Sequence, residues 1–215
     1  MASKFHMTVC SAFALFPSFA MAHPHIFAEA RLEIVAGADG AVQELRNVWR
    51  FDEVFSSSVL LDFDKNSNLK LDPEEATAVG TTVRDSLVDY SYYTSLTSNG
   101  KPVSVAKPDV LNVDFKDGQL LMFFSLKPSE PMVLKGNSLT FGVYDPTLYT
   151  AIDFPTDGDL VIVGDAFQSC KNQVIRPNPD EVISQNQKTL TDAFFNDPAG
   201  TNMTKLFATR MEVTC

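Results

Sequence analysis

The sequence is poor in histidine, cysteine and tryptophan, and these scarcities exclude several classes of active site. It holds three histidines, three cysteines and one tryptophan in 215 residues. His6 lies in an apolar N-terminal segment, so a processed chain would keep only His23 and His25. A Ser-His-Asp or Cys-His hydrolase site further along the chain is excluded, because each needs a histidine beside its nucleophile.

Basic residues are outnumbered by acidic ones, and long apolar runs are absent after the first 22 residues. The chain carries 17 Lys and Arg against 27 Asp and Glu, a formal net charge of −10. Such a surface repels nucleic acid and anionic lipid and attracts cations. We therefore expect no nucleic-acid partner and no stable insertion in a membrane.

The first 22 residues have the pattern of a secretory signal peptide. Lys4 is the only charge before the apolar run of residues 9–22, and Ala20-Met21-Ala22 supplies small residues at the positions that signal peptidase reads. The run is shorter than the roughly 20 apolar residues of a membrane-spanning helix. Residues 1–22 are predicted to be cleaved, which leaves 23–215 as a single periplasmic domain.

Cleavage would leave two cysteines, Cys170 and Cys215. An even pair in an oxidising compartment is typical of a disulfide. Such a bond would close residues 177–215, the C-terminal segment, onto the end of the main fold. The alternative is two unpaired buried thiols.

Periodicity predicts an α+β fold whose β-rich body is a mostly antiparallel sheet or sandwich. The predicted strands cover 26–36, 41–51, 94–97, 103–106, 110–115, 119–126, 138–144, 148–154, 159–163, 170–176 and 205–215. One helix is expected after the N-cap Asp52, another over 73–92, and a short one over 181–195. Residues 52–92 thus form a helix–loop–helix insertion.

His23 and His25 form a candidate transition-metal site at the predicted mature N-terminus. The α-amine and ring of an N-terminal histidine can chelate one metal, His25 adds a second imidazole, and imidazole suits Zn, Cu, Ni and Co. Pro24 has no amide N–H, which blocks a square-planar site built from deprotonated backbone amides. The alternative is a frayed polar terminus, against which the strand predicted from Ile26 argues.

Three acidic residues are candidate partners for these histidines: Asp145, Asp52 and Glu53. One carboxylate beside the amine and two imidazoles would complete a tetrahedral, zinc-like coordination sphere. Plainer interpretations exist, because Asp145-Pro146-Thr147 is typical of a turn and Asp52 of a helix N-cap.

The loop between the first two helices follows the twelve-position pattern of an EF-hand, whose oxygen ligands bind Ca²⁺. The predicted ligands are Asp64, Asn66, Asn68, the carbonyl of Lys70, Asp72 and Glu75. Leu69 replaces the glycine of position 6, and a branched residue resists the turn required there. Two alternatives stay open: weak calcium binding at about 10⁻⁴–10⁻³ M, or a degenerate loop that caps the second helix without metal.

Several segments carry a family resemblance through their order and spacing. They are His23-Pro24-His25-Ile26-Phe27, Trp49-Arg50-Phe51-Asp52-Glu53-Val54-Phe55, Leu71-Asp72-Pro73-Glu74-Glu75, Tyr90-Ser91-Tyr92-Tyr93-Thr94 with Gly100-Lys101-Pro102-Val103, Val143-Tyr144-Asp145-Pro146-Thr147-Leu148-Tyr149, and Cys170 with Phe207-Ala208 to Cys215. Together they resemble the bacterial domain-of-unknown-function family numbered 1007, labelled the periplasmic component of an uncharacterised ABC-type transport system. The resemblance covers nearly the whole mature chain. It implies a periplasmic protein encoded near exporters or importers of nickel, cobalt and zinc.

The leading hypothesis is a non-enzymatic accessory protein that captures, buffers or hands over zinc, nickel, cobalt or copper at a metal transporter of the inner membrane. One alternative is a copper redox enzyme that uses the N-terminal histidine chelate. The other is the solute-binding component of an ABC transporter. Solute-binding proteins usually close two lobes around a cleft, and this strand-rich sequence lacks the alternating βαβ pattern of such lobes.

Overall fold

A long antiparallel hairpin forms the middle of the larger of two sheets. In the computed structural model, which describes residues 24–196 and 203–215 without the side chains of 192–195, its strands are β1 (Ile26–Ala36) and β2 (Ala41–Phe51). Ala28 pairs with Phe51 at one end, and Ala36 pairs with Val42 at the other. Residues on one face of each strand are buried, as the apolar–polar alternation predicts.

The described residues contain ten further strands and four α-helices. The strands are β3 (Thr94–Ser98), β4 (Lys101–Val103), β5 (Leu111–Lys116), β6 (Gln119–Leu126), β7 (Met132–Val133), β8 (Ser138–Val143), β9 (Thr150–Asp153), β10 (Leu160–Val163), β11 (Lys171–Ile175) and β12 (Arg210–Thr214). The helices are α1 (Glu53–Phe63), α2 (Pro73–Ser86), α3 (Pro179–Asn196) and α4 (Thr204–Phe207), with 3₁₀ turns at Val88–Tyr93, Asp157–Asp159 and Asp165–Ser169.

The larger sheet has the order β10-β1-β2-β6-β5, with β9 also on β1 and β7 also on β2. The smaller sheet has the order β11-β12-β8-β3-β4, and all of its pairs are antiparallel. The core draws buried side chains from both sheets, among them Ile34 and Leu45 from the larger and Phe141 and Val213 from the smaller. The α+β, β-rich prediction is therefore confirmed.

Two pairings depart from the mostly antiparallel expectation. β9 and β10 both run parallel to β1, the first beside Ile26–Glu29 and the second beside Leu32–Val35. Because β2 occupies the other edge of β1, the first strand is hydrogen-bonded on both sides along most of its length.

The predicted helix over 73–92 is too long. α2 ends at Ser86, and Ser91, Tyr92 and Tyr93 have φ values of 51°, 53° and 53°, in the left-handed region. The buried Tyr92 ring packs against this end of the helix, where its hydroxyl donates to the carbonyl of Arg84, 3.1 Å away. β4 also begins earlier than predicted, at Lys101 rather than at residue 103.

The predicted disulfide joins the residue before β11 to the residue after β12, the chain's last strand. Cys170 and Cys215 are bonded, with 4.2 Å between their Cα atoms. They flank the ends of β11 and β12, where Lys171 pairs with Thr214. A disulfide of this kind is typical of an oxidising compartment. Within the described part of the chain, no helix has the length and apolar character needed to cross a membrane.

Candidate metal centre

His25 is held at the entrance to the first strand. Its backbone N–H donates to the carbonyl of Tyr149 (2.9 Å), and the N–H of Ile26 shares that acceptor at 3.3 Å. The imidazole is exposed, and its centroid lies 5.0 Å from that of the Tyr149 ring. The terminus is therefore tied to the strand from His25 onward. His23 lies outside the described residues, as does the predicted signal peptide of residues 1–22.

Asp52 lies on the β2 side of this terminus and caps α1. One carboxylate oxygen accepts the N–H groups of Val54 and Phe55 at 2.9 and 3.0 Å, and the other accepts the N–H of Phe27 at 2.9 Å. The neighbouring Glu53 is exposed, and among the described residues its carboxylate forms no hydrogen bond or ion pair. Of this acidic pair, Glu53 is thus the side chain whose oxygens stay open to a ligand.

Asp145 lies on the β9 side and is almost fully buried, with 1% of its surface exposed. One of its oxygens accepts the N–H and the hydroxyl of Thr147, both at 2.7 Å, and the other accepts the N–H of Thr150 at 2.9 Å. These bonds shape the turn that carries Tyr149 to its contact with His25. The expected turn is therefore present.

A half-buried phenol, that of Tyr93, lies against the same carboxylate. The pKa of Tyr93 is raised to about 12, first because burial disfavours the charged phenolate and then because the negative charge of Asp145 opposes a second negative charge. The Tyr93 ring also stacks on Trp49, with centroids 6.0 Å apart and planes 21° apart. Asp145 thus connects the turn beside His25 with the aromatic residues of the core.

Strand pairing accordingly brings the predicted carboxylates to both sides of the strand that His25 begins. Asp52 and Glu53 follow β2, and Asp145 precedes β9, while β1 runs between those strands. Among the side chains that the structure describes, no three of His, Cys, Asp or Glu form a cluster able to hold a metal ion. Coordination by His23, His25, Asp52, Glu53 and Asp145 stays a prediction.

The predicted calcium loop joins α1 to α2 through hydrogen bonds among its own side chains and backbone. Asp64 accepts the N–H groups of Asn68 and Leu69 at 3.0 and 2.7 Å, while the buried Glu75 accepts those of Lys65 and Asp72 at 2.8 and 2.9 Å. Leu69 adopts the left-handed conformation, with φ 61°, that a glycine would supply at this position.

The remaining predicted ligands are hydrogen-bonded to one another. The amide groups of Asn66 and Asn68 donate to Asp72 Oδ2 at 2.8 and 3.0 Å, and the N–H of Lys70 donates to Asn68 Oδ1 at 2.9 Å. The helix–loop–helix is present, and the cap on α2 involves Asp72 and Glu75. Calcium coordination in this loop stays a prediction.

Sequence reasoning missed a groove walled by tyrosines. Tyr90, Tyr93 and Tyr144 line a depression beside the start of β3. The cluster of aromatic residues at 90–93 is evident in the sequence, but the prediction of a helix over these residues gave no indication of a groove. The three left-handed residues that turn these rings toward one another have no glycine or asparagine to signal them.

Comparison with known proteins relates these features to a family without an assigned function. A family model described as "Protein of unknown function (DUF1007)" matches residues 8–215. An uncharacterized protein of Haemophilus influenzae is 24% identical over 204 residues, which cover 94% of this chain and 95% of that protein. Among solved structures, AChBP from Bulinus truncatus is 12% identical with a TM-score of 0.39, and the match covers 89% of this chain and 87% of that one.

Proposed function

This chain belongs to the DUF1007 family of proteins of unknown function, and we propose that it is a periplasmic metal-binding accessory protein. In this proposal it captures, buffers or hands over zinc, nickel, cobalt or copper at a metal transporter of the inner membrane. The observation that carries the proposal is the fixed, exposed His25 at the entrance to β1, with acidic residues next in sequence to the end of β2 and in the turn before β9.

The proposed coordination sphere starts from nitrogen ligands. His23 would supply its amine and ring and His25 its ring, a nitrogen set suited to zinc, copper, nickel and cobalt. Glu53 is our first choice for the carboxylate, because it has no other partner among the described residues. Asp52 and Asp145 are the other two acidic candidates, and their existing hydrogen bonds also hold the two strand ends that position His25.

Three further observations support the compartment and the cargo. The pattern of residues 1–22 favours export, and the Cys170–Cys215 disulfide suits an oxidising compartment. A net charge of −10 attracts cations to the surface.

Calorimetric titration of Zn²⁺, Ni²⁺, Co²⁺ and Cu²⁺ into protein that begins at His23 tests the proposal. We expect one metal per chain, with binding strongly weakened in a control that carries one extra alanine before His23, because the chelating amine moves away. His25→Ala should weaken binding further than Glu53→Gln, since an imidazole is lost rather than a charge. Equal affinity of the control and the processed protein would refute an N-terminal site. Oxidation of a reductant under air by the copper-loaded protein would instead favour the redox enzyme.

A further inference from the structure

An open groove of about 300 Å³ lies between the 3₁₀ turn Val88–Tyr93, the start of β3 and the segment after β8. Tyr90, Tyr93 and Tyr144 form its aromatic wall, and a leucine, a valine and two prolines complete the apolar lining. The polar lining consists of serine and threonine hydroxyls and the carboxylate of Asp89. Among the described residues that line it, none is Lys, Arg or His. The groove therefore offers π-faces and hydrogen-bond acceptors without any positive charge.

The backbone that shapes this groove is strained. Ser91, Tyr92 and Tyr93 are consecutive left-handed residues, a conformation that costs non-glycine residues roughly 1–2 kcal/mol each. The buried Tyr92, 2% exposed, anchors the turn, and the rings of Tyr90 and Tyr93 lie 6.1 Å apart. Strain of this kind clusters at ligand sites, where the surrounding structure enforces it.

A buried negative charge lies behind the aromatic wall. Asp145 is 1% exposed, and no Lys or Arg of the described residues forms an ion pair with it. It interacts with the phenol of Tyr93, one of the groove residues. A carboxylate that is buried without a counter-ion is weakly screened, so its potential favours a cation in the groove.

We propose that this groove binds the guanidinium group of an arginine side chain on a partner protein. A guanidinium is planar and stacks on aromatic faces, and its five N–H donors match a rim that is rich in acceptors. An ammonium ion has fewer donors and does not stack, so lysine fits this lining less well. At about 300 Å³ the groove lies at the small end of the range of ligand sites. His25 does not line this groove, and the only carboxylate that the groove shares with the proposed metal site is Asp145, which lies behind its wall.

The test is an NMR titration of the disulfide-bonded protein at low salt with N-acetyl-arginine amide. The matched probe is N-acetyl-citrulline amide, which has nearly the same shape and no charge. We expect the arginine probe alone to shift the signals of the groove residues, and a Gly-Gly-Arg-Gly-Gly peptide to bind at least as well. Asp89→Asn and Tyr90→Ala should each weaken binding about 2- to 5-fold, the range of an exposed cation–π or ion-pair contact.

Asp109→Asn is the matched control, because Asp109 is an exposed carboxylate outside the groove. The affinity of this variant for the arginine probe should equal that of the unaltered protein. Equal binding of the arginine and citrulline probes would overturn the guanidinium assignment. Unchanged affinity in Asp89→Asn and Tyr90→Ala would overturn the location. Binding of the free amide without binding of the peptide would overturn the assignment to a partner protein.

Discussion

Phe27 and Asp52 hold each other through two hydrogen bonds. The N–H of Phe27 donates to the Asp52 carboxylate at 2.9 Å, and the N–H of Asp52 donates to the Phe27 carbonyl, also at 2.9 Å. The second carboxylate oxygen caps α1. One side chain therefore ties the end of β1 that bears His25 to the first turn of the helix–loop–helix.

Asp52→Ala should lower the free energy of unfolding by about 1–2 kcal/mol, because it removes a helix N-cap and leaves a strand N–H without its acceptor. Urea unfolding followed by circular dichroism measures this change. Asp62→Ala is the control, since Asp62 is exposed in the last turn of the same helix and should change stability by less than about 0.5 kcal/mol. Equal stability of the two variants would mean that the cap contributes nothing.

The Tyr93 phenol should resist ionisation until about pH 12. Its pKa is raised from 10.0 by burial and then by the charge of Asp145, so the unfolded chain loses this proton at lower pH than the folded chain. The stability that this group contributes is fully present below pH 10 and is lost as the pH rises toward 12. Ultraviolet titration of the protein and of Tyr93→Phe gives the pKa by difference. A difference curve centred at pH 10 would contradict the burial argument.

Loss of the Cys170–Cys215 bond should destabilise the fold by about 4 kcal/mol, the chain-entropy value for a separation of 45 residues. Guanidinium unfolding of the double variant Cys170→Ser/Cys215→Ser measures this loss. The unaltered protein unfolded with a thiol reductant should be destabilised by a similar amount, and the reductant should leave the double variant unchanged. If reductant alters both proteins alike, the effect does not come from this bond.

Calcium should bind the loop of residues 64–75 with a Kd of about 10⁻⁴–10⁻³ M, because few of its ligands are charged. Calorimetry of Asp64→Asn should show weaker binding, since a charged ligand becomes neutral. Leu69→Gly should bind more tightly, because glycine adopts the left-handed conformation at Leu69 without steric cost. If none of the three proteins takes up calcium, the loop serves only to join and cap the helices.

Much of the fold could be predicted because apolar alternation encodes the faces of the strands. The bounds of β1, β2 and β6 match their predicted ranges, since buried residues alternate with more exposed ones along most of each strand. The parallel pairing of β9 and β10 with β1 could not be predicted, because parallel and antiparallel neighbours bury the same residues. Likewise, nothing local in the tyrosine-rich stretch after Ser86 distinguishes a helix from a left-handed turn.

The candidate site was predictable only in part. The cysteine pair was found because two cysteines leave one possible connection. The hydrogen bonds that engage Asp145 and Asp52 depend on which turn or helix each residue enters, so composition could not separate them from the open carboxylate of Glu53.

The position of β12 has a consequence for biosynthesis. This strand lies between β11 and β8 in the smaller sheet, yet it is the last of the described strands to be made. A chain that emerges from its N-terminus presents β8 and β11 long before their shared neighbour exists. Until residues 210–214 arrive, both strands have open edges that can pair with other chains. The smaller sheet can therefore be completed only after residues 210–214 have been made, and a chain truncated after residue 176 is expected to aggregate rather than to fold.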